Sequence, residues 1–182
     1  MASAPKGLLY QDNFISEEYH QDLVTFIDSQ GTWDRSLARR TQHYGYRYDY
    51  ANKNAATKAA PIPPEFEALR ELVKPFFRGV LPDQIIVNEY LPGQGIAAHI
   101  DHKFYFGDTI VSVSLLSLVD MVLKNGGKTH TQILQPRSAL ILQDEARYMW
   151  THEIPRRRFS DPEQKYPRGR RLSITLRKMR HA

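Results

Sequence analysis

The 182 residues contain no cysteine. Disulfide scaffolds, thiolate zinc sites, iron–sulfur clusters and cysteine nucleophiles are excluded together. Any bound metal must then be held by His and carboxylate oxygen. Long apolar runs are also missing, and none approaches the ~18 residues of a membrane span. The stretch from Met1 to Leu9 lacks the apolar core of a signal peptide. A monomeric cytoplasmic or nuclear chain with no membrane partner is therefore expected. Repeats and low-complexity tracts are absent. With 41% hydrophobic and 25% charged residues, the composition is that of one folded domain with a real core.

Charge is present but unevenly spread. The net formal charge is +5, with a balance of +8 in residues 147–182 and −3 in residues 1–146. A basic end invites a polyanion, and a solvated tail is the other reading. Arg156-Arg157-Arg158, Arg168 and Arg170 could track a phosphate backbone.

Two helices come first. Ser16 stands as an N-cap before Glu17 and Glu18, and Tyr19, Leu23, Phe26 and Ile27 follow at helical spacing through Asp28. The spacing predicts a second helix from Glu65 to Phe77, with Phe66, Leu69, Leu72, Val73, Phe76 and Phe77 inward. A strand is expected at Leu8–Phe14 and an extended segment from Trp33 to Gln42. Residues 43–64 show no sustained period, which points to a functional loop or lid. From Gln84 onward short apolar runs alternate with Gly, Pro, Asn and Asp. The fold class is therefore α+β, with an antiparallel sandwich or barrel as its second part.

His99-Ile100-Asp101 closes a strand-like run, so an imidazole and a carboxylate share one face. His152 could supply a third ligand. Two His and one carboxylate form the facial triad of non-haem Fe(II) oxygenases, and a hydrolytic zinc site is a further option. Arg171 and Arg177 share a strand face with Ser173 and Thr175, while Leu172, Ile174 and Leu176 face the other way. Arginines directed into a barrel require an anion there, and a dicarboxylate would satisfy one of them. The alternative is an exposed edge strand. Asn88 and Tyr90 also share a face and could add hydrogen bonds.

The order Asn88-x-Tyr90, Pro92-Gly93, His99-x-Asp101, His152 and Arg171-x5-Arg177 resembles the AlkB family of Fe(II)/2-oxoglutarate-dependent dioxygenases. The resemblance extends from Gly7 to Arg177. Arg40-Thr-Gln-His-Tyr-Gly-Tyr46 and Ala146-Arg-Tyr-Met-Trp-Thr-His152 resemble the eukaryotic group of that family which contains the tRNA wobble-uridine hydroxylase. The resemblance implies a double-stranded β-helix, or jelly roll, over approximately residues 84–178. It also implies helices packed on one side and a nucleotide-recognition lid at approximately 34–63.

By the same resemblance His99, Asp101 and His152 would bind Fe(II). Arg171 would take the distal carboxylate of 2-oxoglutarate, helped by Tyr90 and Ser173. Arg177 and Asn88 would lie near the end that chelates iron. The implied reaction uses O2 to hydroxylate a C–H bond, and on a base N-methyl group it ends in demethylation. The expected substrate is DNA or RNA, single-stranded or with a flipped base. Arg40, Tyr44, Tyr46 and Tyr48 are the expected base and phosphate contacts, with Trp33, Tyr50, Arg39 and Arg47 beside them. Alternating Tyr44, Tyr46, Tyr48 and Tyr50 could instead form one packed strand face. A protein or small-molecule oxygenase and a non-catalytic binding module are the competing readings.

Overall fold

A computed structural model describes residues 4–47, 57–160 and 165–180. Strand β1 (Leu8–Gln11) leads into α1 (Glu17–Ser29), followed by β2 (Thr41–Tyr44), β3 (Tyr46–Arg47) and β4 (Thr57–Lys58). A 3-10 turn at Pro64–Phe66, α2 (Glu67–Val73) and a second 3-10 turn at Lys74–Phe77 come next. Then follow β5 (Gln84–Tyr90), β6 (Ile96–His99), β7 (Phe106–Leu116), β8 (Val119–Asn125), β9 (Lys128–Leu134) and β10 (Ala139–Leu142). The short helix α3 (Asp144–Tyr148) precedes β11 (Thr151–Ile154), β12 (Phe159–Ser160), β13 (Tyr166–Pro167) and β14 (Arg171–Met179).

The strands form a jelly-roll sandwich. A six-stranded sheet runs β1-β10-β7-β14-β5-β2, and a four-stranded sheet runs β6-β11-β8-β9. Each neighbouring pair in both sheets is antiparallel. Both faces of the large sheet are covered, so alternation sorts its side chains into two cores. Ile85, Val87, Val111, Val113, Leu172, Ile174 and Leu176 meet the helices through Leu23, Ile27, Phe66, Leu69 and Val73. Tyr90, Ile110, Leu140 and Leu142 point the other way, toward Met121, Leu123 and Ile154 of the smaller sheet.

Helix α1 starts where its sequence predicts. The Ser16 hydroxyl accepts from the Tyr19 amide at 3.1 Å, and Glu17 and Glu18 occupy the first turn. A cap of this kind contributes about 1 kcal/mol. The second helix is broken into three pieces. Pro75 has no N–H to donate, and it falls where the chain tightens to 3-10 geometry. Within α2, Leu69 and Val73 take the buried face, and Leu72, expected inward, is 46% exposed. Between Trp33 and Gln42 only the Asp34–Thr41 bridge and the start of β2 are regular. Among the described residues no helix is long and apolar enough to cross a membrane.

Strand β2 falls within the span expected for the lid. It is the edge of the large sheet, pairing Thr41 with Asn88 and Tyr44 with Ile85. Tyr44 therefore faces the helices with Ile85. It is 4% exposed, its ring lies 5.4 Å from Phe66, and its hydroxyl donates to Gln42 Oε1 at 3.0 Å. It is a core residue, not a substrate contact. Gly45 has φ +77°, and a Cβ there would lie 2.0 Å from the Asp83 carbonyl oxygen. This left-handed turn breaks the alternation, so Tyr46 packs instead against the inter-sheet core. Tyr48 and Tyr50 lie outside the described residues.

Candidate metal and cofactor site

Strands β6 and β11 pair with His99 directly opposite His152. Their rings are 4.3 Å apart between centroids. Asp101 follows two residues beyond His99, at the start of the turn leaving the strand. One ligand atom from each of His99, Asp101 and His152 lies within 4.8 Å of the others. The His99 Nδ1 lies 2.8 Å from the Ala97 carbonyl oxygen, which assigns the proton to Nδ1 and leaves the Nε2 lone pair for a metal. Burial pushes the His152 imidazole down to about 4, against the pull of Asp101. Burial alone would raise the Asp101 carboxyl, but Arg177 and then the two imidazoles bring it down to about 2. Near neutral pH Asp101 thus offers an anionic oxygen and His152 a neutral nitrogen, beside the His99 Nε2. That donor set suits a divalent non-haem iron.

Two arginines hold Asp101, one by its carboxylate and one by its backbone carbonyl. Arg177 Nη2 donates to Asp101 Oδ1 at 2.8 Å. Arg147, presented by α3 and only 2% exposed, donates to the Asp101 carbonyl at 2.8 Å and to the Gly107 carbonyl at 3.1 Å. It also reaches the His102 carbonyl at 3.2 Å. Arg147 therefore fixes the turn that aims Asp101. Sequence reasoning missed it, although it lies inside the Ala146–His152 stretch.

Behind the triad, β14 lines a narrow cavity of about 50 Å³ with Arg171, Ser173, Thr175 and Arg177. Asn88 of β5 and Ser112 of β7 complete its walls. Arg171 is 2% exposed. Its Nη2 donates to Ser114 Oγ at 2.8 Å, but Nε and Nη1 are buried without a hydrogen-bond partner among the described residues. Burial pushes this guanidinium down to about 10, so it stays charged near neutrality. A buried cation with two orphaned donors is costly unless an anion meets it. Tyr90 lies beneath it at 5.5 Å. The donor chemistry of this cradle suits a carboxylate.

The His99 and Asp101 side of the triad opens to a cavity of about 540 Å³ walled by Ile96, Ala97, Ala98, Ile100, Leu37 and Ala38. Arg39 and Arg156 are the cations of its lining, beside His99, Asp101 and His102, while His152 lines the inner cavity. Arg39 also reaches the inner cavity, where its Nε donates to Asn88 Oδ1 at 2.8 Å. Arg40 does not face the triad. It is ion-paired with Glu89 through Nε and Nη2, and its guanidinium lies 4.2 Å from the Trp33 ring. Its neighbour Arg39, not Arg40, lines the mouth.

The expected phosphate track is largely consumed inside the fold. Arg157 and Arg168 both pair with Asp120, which is 0% exposed, and Arg168 Nε also donates to Ser160 Oγ at 2.8 Å. Arg170 donates to Glu89 at 2.7 Å and to Asp28 at 3.0 Å. Of that set, Arg156 and Arg158 remain exposed.

Gly95 sits where β6 approaches β11, and a Cβ there would lie 2.1 Å from the Ile154 carbonyl oxygen. Gly95→Ala should force the two histidine-bearing strands apart. The expected cost is about 2 kcal/mol of stability, with weaker metal binding. Thermal melts and metal titration check both, and an unchanged variant would remove this constraint.

The model of the 2OG-Fe(II) oxygenase superfamily matches residues 7–177. A Xenopus tropicalis protein named tRNA (carboxymethyluridine(34)-5-O)-methyltransferase alkbh8 is 36% identical over 99% of this chain and 33% of its own length. An Arabidopsis thaliana protein named Alkylated DNA repair protein ALKBH8 homolog is 33% identical over 96% of this chain and 59% of its own. The solved structure of OsALKBH1 superposes with a TM-score of 0.74 at 17% identity, covering 98% of this chain and 99% of that one. The chain spans about a third of the length of the first curated relatives it matches.

Proposed function

The chain belongs to the AlkB-like proteins of the 2OG-Fe(II) oxygenase superfamily, and from that premise we propose that it hydroxylates or oxidatively demethylates a nucleobase in DNA or RNA. The observation that carries this reading is the mouth of the site. An apolar slot leads to the triad and is bounded by two arginines, Arg39 and Arg156. Apolar walls suit the faces of a base, and flanking guanidiniums suit its acceptors and phosphates. The names of the relatives, a tRNA methyltransferase and an alkylated-DNA repair protein, support the same class of substrate.

His99, Asp101 and His152 would hold Fe(II). Arg171, with Tyr90 and Ser173, would hold the distal carboxylate of 2-oxoglutarate, and Asn88 would sit near its chelating end. Arg177 works at the iron end through the Asp101 carboxylate it clamps. Together, iron, 2-oxoglutarate and O2 supply the oxidising power, giving succinate, CO2 and one oxygen atom inserted into a C–H bond. The protein's part is to aim Asp101 through Arg177 and Arg147 and to line the slot so that a C–H bond rests near the metal.

A turnover screen tests this. The iron-loaded protein is offered methylated single- and double-stranded DNA and RNA oligonucleotides, and products are read by mass spectrometry. Succinate is expected together with a hydroxylated or demethylated base. Arg39→Ala should raise the KM of that substrate roughly ten-fold, the size of one charge-assisted contact. Succinate formation on a peptide or metabolite, with none on any oligonucleotide, would move the assignment to the other oxygenase class.

A further inference from the structure

Beside the mouth lies a second groove that the reaction itself does not use. Its volume is about 530 Å³, close to the 540 Å³ of the mouth. Leu37 and Ala38 line both, so the two are separated by a wall one segment thick. That wall is braced. Gln94 Nε2 donates to the Ala38 carbonyl at 2.8 Å, and Gln94 Oε1 accepts from the Leu91 amide at 2.8 Å. Gln94 therefore ties the wall to the turn that ends β5.

The charge of the groove has one sign to spare. Its lining carries Arg35, Arg40 and Arg170 against Glu89. Glu89 is neutralised from both sides by Arg40 and Arg170, and Arg170 is further held by Asp28. Arg35 is exposed and has no ion-pair or hydrogen-bond partner among the described residues. Arg40 keeps Nη1 after giving Nε and Nη2 to Glu89. Two leucines complete the surface, Leu37 at 41% and Leu91 at 49% exposure. A spare cation beside exposed apolar surface matches a phosphate joined to a base. An acidic cluster that would favour a basic peptide is absent from the lining.

From this juxtaposition we infer that the second groove holds the nucleotide next to the target in the same strand, with its phosphate on Arg35 and its base against Leu37 and Leu91. The inference rests on the nucleic-acid reading above. It also gives the strand a path. The strand crosses the 35–38 wall between Arg35 and the mouth arginines Arg39 and Arg156, since Arg157, Arg168 and Arg170 are paired with Asp120, Asp28 and Glu89.

A length series tests it, using the best oligonucleotide from the turnover screen cut to the modified nucleoside monophosphate, dinucleotide and trinucleotide. Wild type should gain kcat/KM when the neighbouring nucleotide is added. Arg35→Glu and, separately, Leu91→Asp should remove that gain. The expected loss is roughly ten-fold on the trinucleotide and none on the monophosphate. Arg35→Glu should also flatten the plot of log KM against log salt by roughly 0.7 on the trinucleotide. Both positions are exposed, and unchanged melting of the variants separates contact from folding. Equal effects on all lengths, or no effect on any, would overturn the groove and leave the nucleic-acid reading standing. Failure of wild type to turn over any oligonucleotide would overturn both.

Discussion

Arg171→Met should lose 2-oxoglutarate while leaving the protein, without its co-substrate, at least as stable as wild type. The two halves of this expectation come from one fact. Arg171 is 2% exposed, and Nε and Nη1 have no hydrogen-bond partner among the described residues. Holding a cation there without an anion is unfavourable, and methionine fills similar space without that cost. The same orphaned donors are what would grip a carboxylate. Two charge-assisted hydrogen bonds contribute about 3 kcal/mol or more, so the KM for 2-oxoglutarate should rise by at least roughly 100-fold. Wild type should melt higher as 2-oxoglutarate is added, since a ligand bound only by the native state stabilises it. The variant should show no such shift. A variant that melts several degrees lower and still responds to 2-oxoglutarate would make Arg171 a packing residue.

Asp101→Ala should reduce succinate formation by at least roughly 1,000-fold, because one of three ligands is gone and its anionic charge with it. This substitution also disturbs the metal-free protein. Arg177 is 6% exposed and ion-paired with Asp101 at 2.8 Å. Removing the carboxylate leaves that cation buried beside two imidazoles, and a loss of about 3 kcal/mol is expected. Asp101→Asn separates the effects. Its amide oxygen can still accept from Arg177, so stability should fall less while metal affinity falls nearly as far. Nucleic-acid affinity should survive in both, since Arg39 and Arg156 are untouched. The measurements are Fe(II) titration, succinate yield and thermal melting. Turnover that persists in Asp101→Ala would sink the iron assignment.

Much of this site was legible before the fold. His99 and Asp101 stand two apart at a strand end, and Arg171, Ser173, Thr175 and Arg177 alternate with Leu172, Ile174 and Leu176. The structure keeps that alternation, with the leucines and Ile174 against the helices and the polar set lining the inner cavity. The Ser16 cap was legible for the same reason, because it depends on residues within one turn. Leu72 was misread because Leu69 and Val73 take the buried face of α2 and leave it on the outer flank. Tyr44 was misread because only its pairing with Ile85 shows that β2 belongs to the large sheet.

The sequence by itself determined the residue types that can hold a metal, the two faces of β14 and the order of helices before strands. These follow from local rules: a period of two in strands, a period of 3.6 in helices, and the absence of cysteine. Only the tertiary structure decided which arginines are free. Arg40 meets Glu89 across 49 residues of chain, Arg168 meets Asp120 across 48, and Arg170 meets Asp28 across 142. Charge along the chain is a sum over residues, whereas neutralisation depends on which strands the fold brings together. The basic end therefore serves mainly to lock the sandwich, and the arginines left near the mouth and its neighbouring groove come largely from the segment at 35–40.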